Sequence, residues 1–146
     1  MSRSCQEHAI SLLARREHSA FELRQKLSQH AYSDNEIEHV LQLLQEQGLQ
    51  DDARFASQYW RYRANKGYGA LRIKQELQQR GLTNEHIQQA MMEVEIDWFV
   101  LAVNVRCKRF GNKAPSDLKE RAKQQRFLQY RGFTFDEIKE SFNNNP

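Results

Sequence analysis

The sequence predicts an all-α protein of three tandem three-helix repeats, and three observations carry that expectation. Glu, Gln, Leu, Lys, Arg and Ala dominate, residues that lose little rotamer freedom in a helix, while only 2 Pro and 6 Gly interrupt 146 positions. Apolar residues recur at i, i+3, i+4 and i+7, the spacing of one buried helix face. The pattern itself also repeats. Displacing the chain by 50 residues lays Leu23, Leu27, Ser33, Ile37 and Leu41 on Ile73, Leu77, Thr83, Ile87 and Met91. A further 51 lays Leu77, Gly81, Thr83, Ile87 and Met91 on Leu128, Gly132, Thr134, Ile138 and Phe142.

The first repeat is expected over residues 1–49. Ile10, Leu13 and Ala14 mark its first helix, Leu23 and Leu27 the second, and Ile37, Val40, Leu41 and Leu44 the third. Ser33 followed by Glu36 reads as a capping box, hydroxyl and carboxylate each satisfying a backbone N–H that the helix cannot. The second repeat, 50–95, opens after Gly48, which suits a left-handed residue, with an Asp of the Asp51-Asp52 pair as N-cap. Phe55, Ala56, Tyr59 and Trp60 form the core side of its first helix, and Gly67-Tyr68-Gly69 permits a tight corner. A helix from about Ala70 to Arg80 is stopped by Gly81, and Thr83 caps the next, with Ile87, Ala90, Met91 and Val94. The third repeat, 96–146, starts on an apolar helix. Trp98, Leu101, Ala102 and Val105 line one side and Phe99 and Val103 the other, so packing is expected on two sides. Residues 111–117 lead to a basic helix ending at Gly132, and Thr134 with Glu137 repeats the capping box. From Asn143 onward a frayed tail is expected.

The formal charge of +3 is unevenly spread: residues 1–50 carry net −2, 51–96 net +1, and 97–146 net +4. Such asymmetry points to a polyanion on one side of the molecule, while the mild total speaks against a DNA-coating protein. Between Arg106 and Arg131 nine cations face only Asp117 and Glu120. They are Arg106, Lys108, Arg109, Lys113, Lys119, Arg121, Lys123, Arg126 and Arg131, candidates for nucleic-acid or filament contact. In the middle repeat Arg54, Arg61, Arg63, Lys66, Arg72 and Lys74 interleave with tyrosines. Arg54 and Arg61, seven apart on the face opposite the core, are candidates for a partner, and Arg72 is a further contact candidate.

No catalytic constellation is legible. Neither a nucleophile with its base, nor paired carboxylates, nor a phosphate-cradling loop occurs at meaningful spacing, and Gly67-Tyr68-Gly69 follows a helix and reads as a turn. Cys5 and Cys107 suggest neither a disulfide framework nor a zinc site, and the five histidines are scattered, so no metal or cofactor is expected. With no apolar leader after Met1 and no membrane-length apolar run, the expectation is a cytoplasmic protein without membrane contact.

Several stretches in order resemble the bacterial RecX regulatory family. They are Leu12-Leu13-Ala14-Arg15-Arg16-Glu17-His18-Ser19 followed by Glu22-Leu23-Arg24-Gln25-Lys26-Leu27; Gly48-Leu49-Gln50-Asp51-Asp52-Ala53-Arg54-Phe55-Ala56; Gly67-Tyr68-Gly69-Ala70-Leu71-Arg72-Ile73; and Phe127-Leu128-Gln129-Tyr130-Arg131-Gly132-Phe133. Ala70 stands where that family usually has Pro. The resemblance covers nearly the full chain. It implies an elongated, curved stack of three-helix units that binds the RecA recombinase filament on DNA and damps strand exchange, ATPase and coprotease activities, with no catalysis of its own; no dimer heptad is visible in the sequence, and a monomer is expected. Three-helix units can also present a recognition helix, which leaves a helical sequence-specific DNA-binding regulator as the alternative. A protein adaptor without nucleic-acid contact would leave the basic window unexplained.

Overall fold

The computed structural model describes residues 3–143, and among them the backbone forms nine helices and no strand. Of the tail expected from Asn143, residues 144–146 lie outside the described residues. The helices are α1 (Cys5–Arg15), α2 (Ala20–Ser28), α3 (Asp34–Glu46), α4 (Asp52–Asn65), α5 (Ala70–Gln79), α6 (Asn84–Val94), α7 (Trp98–Phe110), α8 (Leu118–Arg131) and α9 (Phe135–Ser141).

Side chains set the starts. Ser33 with Glu36 and Thr134 with Glu137 close the two expected boxes, and Ser19 with Glu22 forms a third at α2. Thr83 Oγ1 accepts from the His86 N–H at 3.1 Å, and Asp51 Oδ1 from the Arg54 N–H at 3.1 Å.

By packing, the chain divides into two compact units. One holds the residues up to Gln58 together with Leu77–Ala90, the other Tyr59–Glu76 together with the residues from Met91 onward. The helices α4, α5 and α6 thus divide their length between the two.

In the first unit α1, α2 and α3 close on a core of Cys5, Ala9, Leu23, Leu27, Ile37, Val40, Leu41 and Leu44. The α1 face differs from the expected one. Cys5 and Ala9 are buried with Leu12 and Leu13 packed beside them, while Ile10 is 41% exposed and Ala14 is exposed. Small residues at i and i+4 let α1 lie close to its neighbours, and Ile10, one position past Ala9, falls off that face. A buried polar knot joins this trio to the chain that follows. Gln50 Nε2 donates to the His18 carbonyl (3.3 Å) and to Asp52 Oδ1 (2.9 Å), and the same carboxylate accepts the Ala20 N–H at 2.9 Å. Ser19 Oγ donates to the Arg80 carbonyl at 2.8 Å.

In the second unit α7, α8 and α9 pack round Ala102, Leu128, Phe133 and Ile138, with Leu101, Val105, Phe127 and Phe142 against them. Trp98 meets Trp60 edge to face, centroids 5.6 Å apart. On α7 Trp98, Ala102, Val103, Arg106 and Cys107 are buried, yet Phe99 is 46% exposed, so the expected second apolar side is only partly covered. The glycine corner before α5 docks on the end of α8. Gly69 and Leu71 donate their N–H groups to the Arg131 and Gly132 carbonyls at 2.7 and 3.0 Å. Backbone lies so near that a Cβ on Gly69 would stand 2.5 Å from the Gly132 carbonyl, and one on Gly132, whose φ is +98°, would stand 2.4 Å from Arg72 Cβ.

Candidate nucleic-acid interface

The cations of the second unit differ in what holds them. On α8, Lys119, Lys123 and Arg126 fall at i, i+4 and i+7 on the exposed side, opposite Gln124 and Leu128, which are buried. Lys113, in the connection before α8, is exposed too. Arg121 is half-buried with its guanidinium 4.3 Å from the Phe142 ring centroid. Lys108 and Arg109 end α7, exposed, with Arg109 lying over Phe127 at 5.6 Å. Among the described residues none of these forms an ion pair with a carboxylate, so their charge is not neutralised within the fold.

Arg131 is fixed more firmly. Its Nη1 donates to the Lys66 carbonyl at 3.1 Å, capping the end of α4, and its guanidinium lies 4.7 Å from the Tyr68 ring and 5.0 Å from that of Phe127. A pocket of about 380 Å³ opens beside it. Lys66, Lys108, Arg109 and Arg131 line it together with Asn65 and Asn104, and Leu101, Val105 and Phe127 add apolar surface. Lys66, Asn65 and Asn104 are the residues that pattern reading misses. Lys66 belongs to the interleaved basic segment, but nothing in its spacing joins it to side chains forty positions on.

Three expected contacts serve the fold. Arg106 is not the surface contact expected from the basic window: it is 1% exposed, its Nε donates to the Ser141 carbonyl at 3.1 Å and its guanidinium lies over Phe142, so it is an internal strut out of reach of DNA. Arg54 is half-buried, Nε on Glu17 at 3.0 Å and Nη1 and Nη2 on the Gly48 and Leu49 carbonyls, so a partner would compete with three bonds. Arg72 donates to Glu76 (3.3 Å) and to the Tyr130 carbonyl (3.3 Å) and lies over Tyr68 and Tyr130. Arg61 alone of the middle-repeat candidates is exposed.

Glu76 organises that cluster. Arg63 grips it with two bonds of 2.9 and 3.0 Å, and the Tyr59 hydroxyl adds one of 2.9 Å. Burial would raise its pKa, but those hydrogen bonds outweigh burial and hold the carboxyl below the usual carboxylate range. Tyr59 is therefore half-buried with a polar task, whereas Phe55 and Trp60 are buried as expected. The two cysteines are buried free thiols, and among the described residues no three His, Cys, Asp or Glu gather as a metal site.

Fold and surface together define a helical-repeat protein: three trihelical modules in tandem, the last presenting uncompensated cations. Family models identify the modules one by one, as the first, second and third three-helix domains of RecX over residues 5–44, 51–91 and 95–141. The chain belongs to the RecX family. It is 43% identical to the regulatory protein RecX of Vibrio vulnificus (strain CMCP6), over 93% of this chain and 89% of that one. It is 47% identical to that of Pseudomonas putida (strain GB-1), over 89% and 83%. Its fold matches a crystal structure of RecX from Lactobacillus salivarius with a TM-score of 0.79 at 19% identity, covering 95% of this chain and 92% of that one. A second crystal structure, of regulatory protein RecX, matches with a TM-score of 0.77 at 24% identity, covering 96% and 72%. These relatives are named as regulators, and no described helix here is long and apolar enough to cross a membrane.

Proposed function

We propose that the chain is a cytoplasmic, monomeric regulator that binds the RecA recombinase filament on DNA and damps its strand exchange, ATPase and coprotease activities. The observation that carries this reading, beside family membership, is the exposed row of Lys119, Lys123 and Arg126 with Lys108, Arg109 and Lys113, cations that meet no carboxylate among the described residues. Phosphate contacts release counterions and need no base recognition, which suits a protein acting on filaments of any sequence. Arg61 is the candidate for the protein side of the contact. Two modest contacts on one chain gain by effective concentration beyond either alone.

The test compares inhibition of recombinase ATPase with affinity for naked DNA. Inhibition is expected well below the concentration that saturates DNA, and Arg61→Glu is expected to weaken inhibition more than DNA binding. If four to six phosphates are neutralised, log affinity should fall against log salt with a slope of about −3.5 to −5.5, and Gln at Lys119, Arg121, Lys123 and Arg126 together should flatten it by a few units. Inhibition that tracks naked-DNA affinity in every variant sinks filament recognition.

A further inference from the structure

The pocket between the ends of α4, α7 and α8 combines features that bare phosphate contact does not require. Lys66, Lys108, Arg109 and Arg131 line it, and no carboxylate does. A concave site walled by one sign of charge focuses its potential on whatever enters. Its arginines are set in advance: Arg131 by the Lys66 carbonyl and two rings, Arg109 by the rings of Phe110 and Phe127 at 5.9 and 5.6 Å. Their side-chain entropy is thus partly lost before any ligand arrives, and a guanidinium presents the planar fork that matches phosphate oxygens. Gly67 helps to set this geometry. With φ at +91°, a Cβ there would press on Arg131 Nη1 at 3.2 Å and on Val105 Cγ2 at 3.3 Å.

The remaining lining is what a simple anion would leave unused. Leu101, Val105 and Phe127 offer apolar surface, and the Asn65 and Asn104 amides offer both donors and acceptors. At about 380 Å³ the space falls in the range of small-ligand sites, roughly 300 to 1,000 Å³. Strong cations, apolar surface and two amides within one such volume match a ligand that is itself phosphate at one end and a flat, hydrogen-bonding ring at the other.

We propose that this pocket holds one nucleotide unit, its phosphate on the four cations and its base against the apolar surface and the two amides. The proposal rests on the DNA contact advanced above and sharpens it: one nucleotide of a single strand turns into the pocket while the α8 row follows the backbone. A free mononucleotide carries the same chemistry, and the experiment separates the two sources.

Isothermal titration calorimetry on the full chain at low salt, with deoxyadenosine monophosphate, inorganic phosphate and an oligothymidylate of about ten nucleotides, supplies the test. Asn104→Trp fills the pocket from an exposed α7 position and leaves all four cations in place, and it is expected to weaken the oligonucleotide about tenfold, as loss of one base contact would. Lys108→Gln with Arg109→Gln should do the same, with unchanged helix content by circular dichroism in both variants. Inorganic phosphate should bind at least tenfold more weakly than the mononucleotide; equal binding of the two makes this a bare anion site and overturns the proposal. Binding of the oligonucleotide alone, weakened by Asn104→Trp, assigns the site to a strand, whereas binding of the mononucleotide alone keeps the pocket and removes the DNA contact. If Asn104→Trp leaves oligonucleotide affinity intact while Gln at Lys119, Lys123 and Arg126 lowers it, the pocket proposal fails and the backbone contact stands. No binding of either defeats both.

Discussion

Arg16, Arg24, Arg54 and Arg80 of the first unit each reach a carboxylate, on Glu22, Glu38, Glu17 and Glu22 again. Arg109, Arg121 and Arg131 of the second unit lie over aromatic rings instead. A carboxylate both positions and neutralises a guanidinium. A ring only positions it, because a quadrupole orients the cation without cancelling its charge. The same residue type is thereby spent on cohesion in one unit and kept available in the other. At Glu76, with Arg63 and Arg72, the second unit uses the first unit's method.

The largest expected effect tests how tightly the second unit's backbone is closed. Gly132→Ala combines a left-handed φ with a Cβ against Arg72 and should lower unfolding free energy by about 3 kcal/mol. Gly48→Ala, at φ +72° with open space around it, should lose only about 1 kcal/mol in the same urea titration. Equal losses would mean that the close approach of α5 and α8 carries no strain on substitution.

Glu76→Gln comes next. It strips the half-buried arginines Arg63 and Arg72 of their counter-charge and should cost about 2 kcal/mol, less than a fully buried pair because water reaches the cluster. Since the carboxyl's pKa is lowered in the folded protein, its contribution is present above the ordinary value of 4.5 and lost as pH falls through the native one, so the variant and the parent should converge in acid.

Mild acid should separate the units. All five histidines, His8, His18, His30, His39 and His86, fall in the first. His18 Nδ1 lies 2.9 Å from the Arg16 carbonyl, which can only accept, so Nδ1 carries the proton and Nε2 takes the Lys26 ammonium at 3.2 Å. Burial is the main reason its pKa sits below the ordinary 6.5; the carbonyl bond opposes this, and the Arg16 and Lys26 charges add to it. His8 is lowered too, by burial and then by His30 and Arg3. Both rings bind protons more readily unfolded, so their stabilisation is full above pH 6.5 and is lost as pH falls through the native values. Amide exchange should accelerate in the first unit between pH 7.5 and 5.5 and stay level in the second, apart from the intrinsic pH dependence of exchange. Uniform change in both units would show that they open together.

The smallest effect belongs to Arg24 and Glu38, an ion pair with both side chains about half exposed. Arg24→Gln should shift stability by about 0.5 kcal/mol or less. A larger loss would show that the exposed pairs of the first unit hold it together as much as its core does.

The elements that proved legible in the sequence are those governed by neighbours along the chain. Ser33 with Glu36, Thr134 with Glu137, the Thr83 cap and the glycine ends at Gly48, Gly81 and Gly132 are decided within four residues, and the structure realises each. What escaped depends on neighbours far off. Arg106 and Arg109 are three apart on one helix, and only the packing of α9 on α7 separates an internal strut from a surface cation. Tyr59, Arg63, Arg72 and Glu76 sit where either a solvated or a paired reading is possible, and the fold chooses pairing. The pocket is assembled from three helix ends, and its composition has no signature in any one of them.

The amides of Gly69 and Leu71 on the carbonyls of Arg131 and Gly132 also bear on the order in which the chain folds. The contacts inside α1–α3 close loops of a few tens of residues or fewer, whereas this join spans more than sixty. Loop closure costs more as the loop lengthens, and a non-local contact pays back only after its ends have formed. Neither end offers a docking surface until α8 has terminated at Gly132 and the corner at Gly67 has turned. The corner and the helix end are therefore expected to meet as finished pieces late in folding, an order that low φ-values for conservative substitutions around this join would bear out.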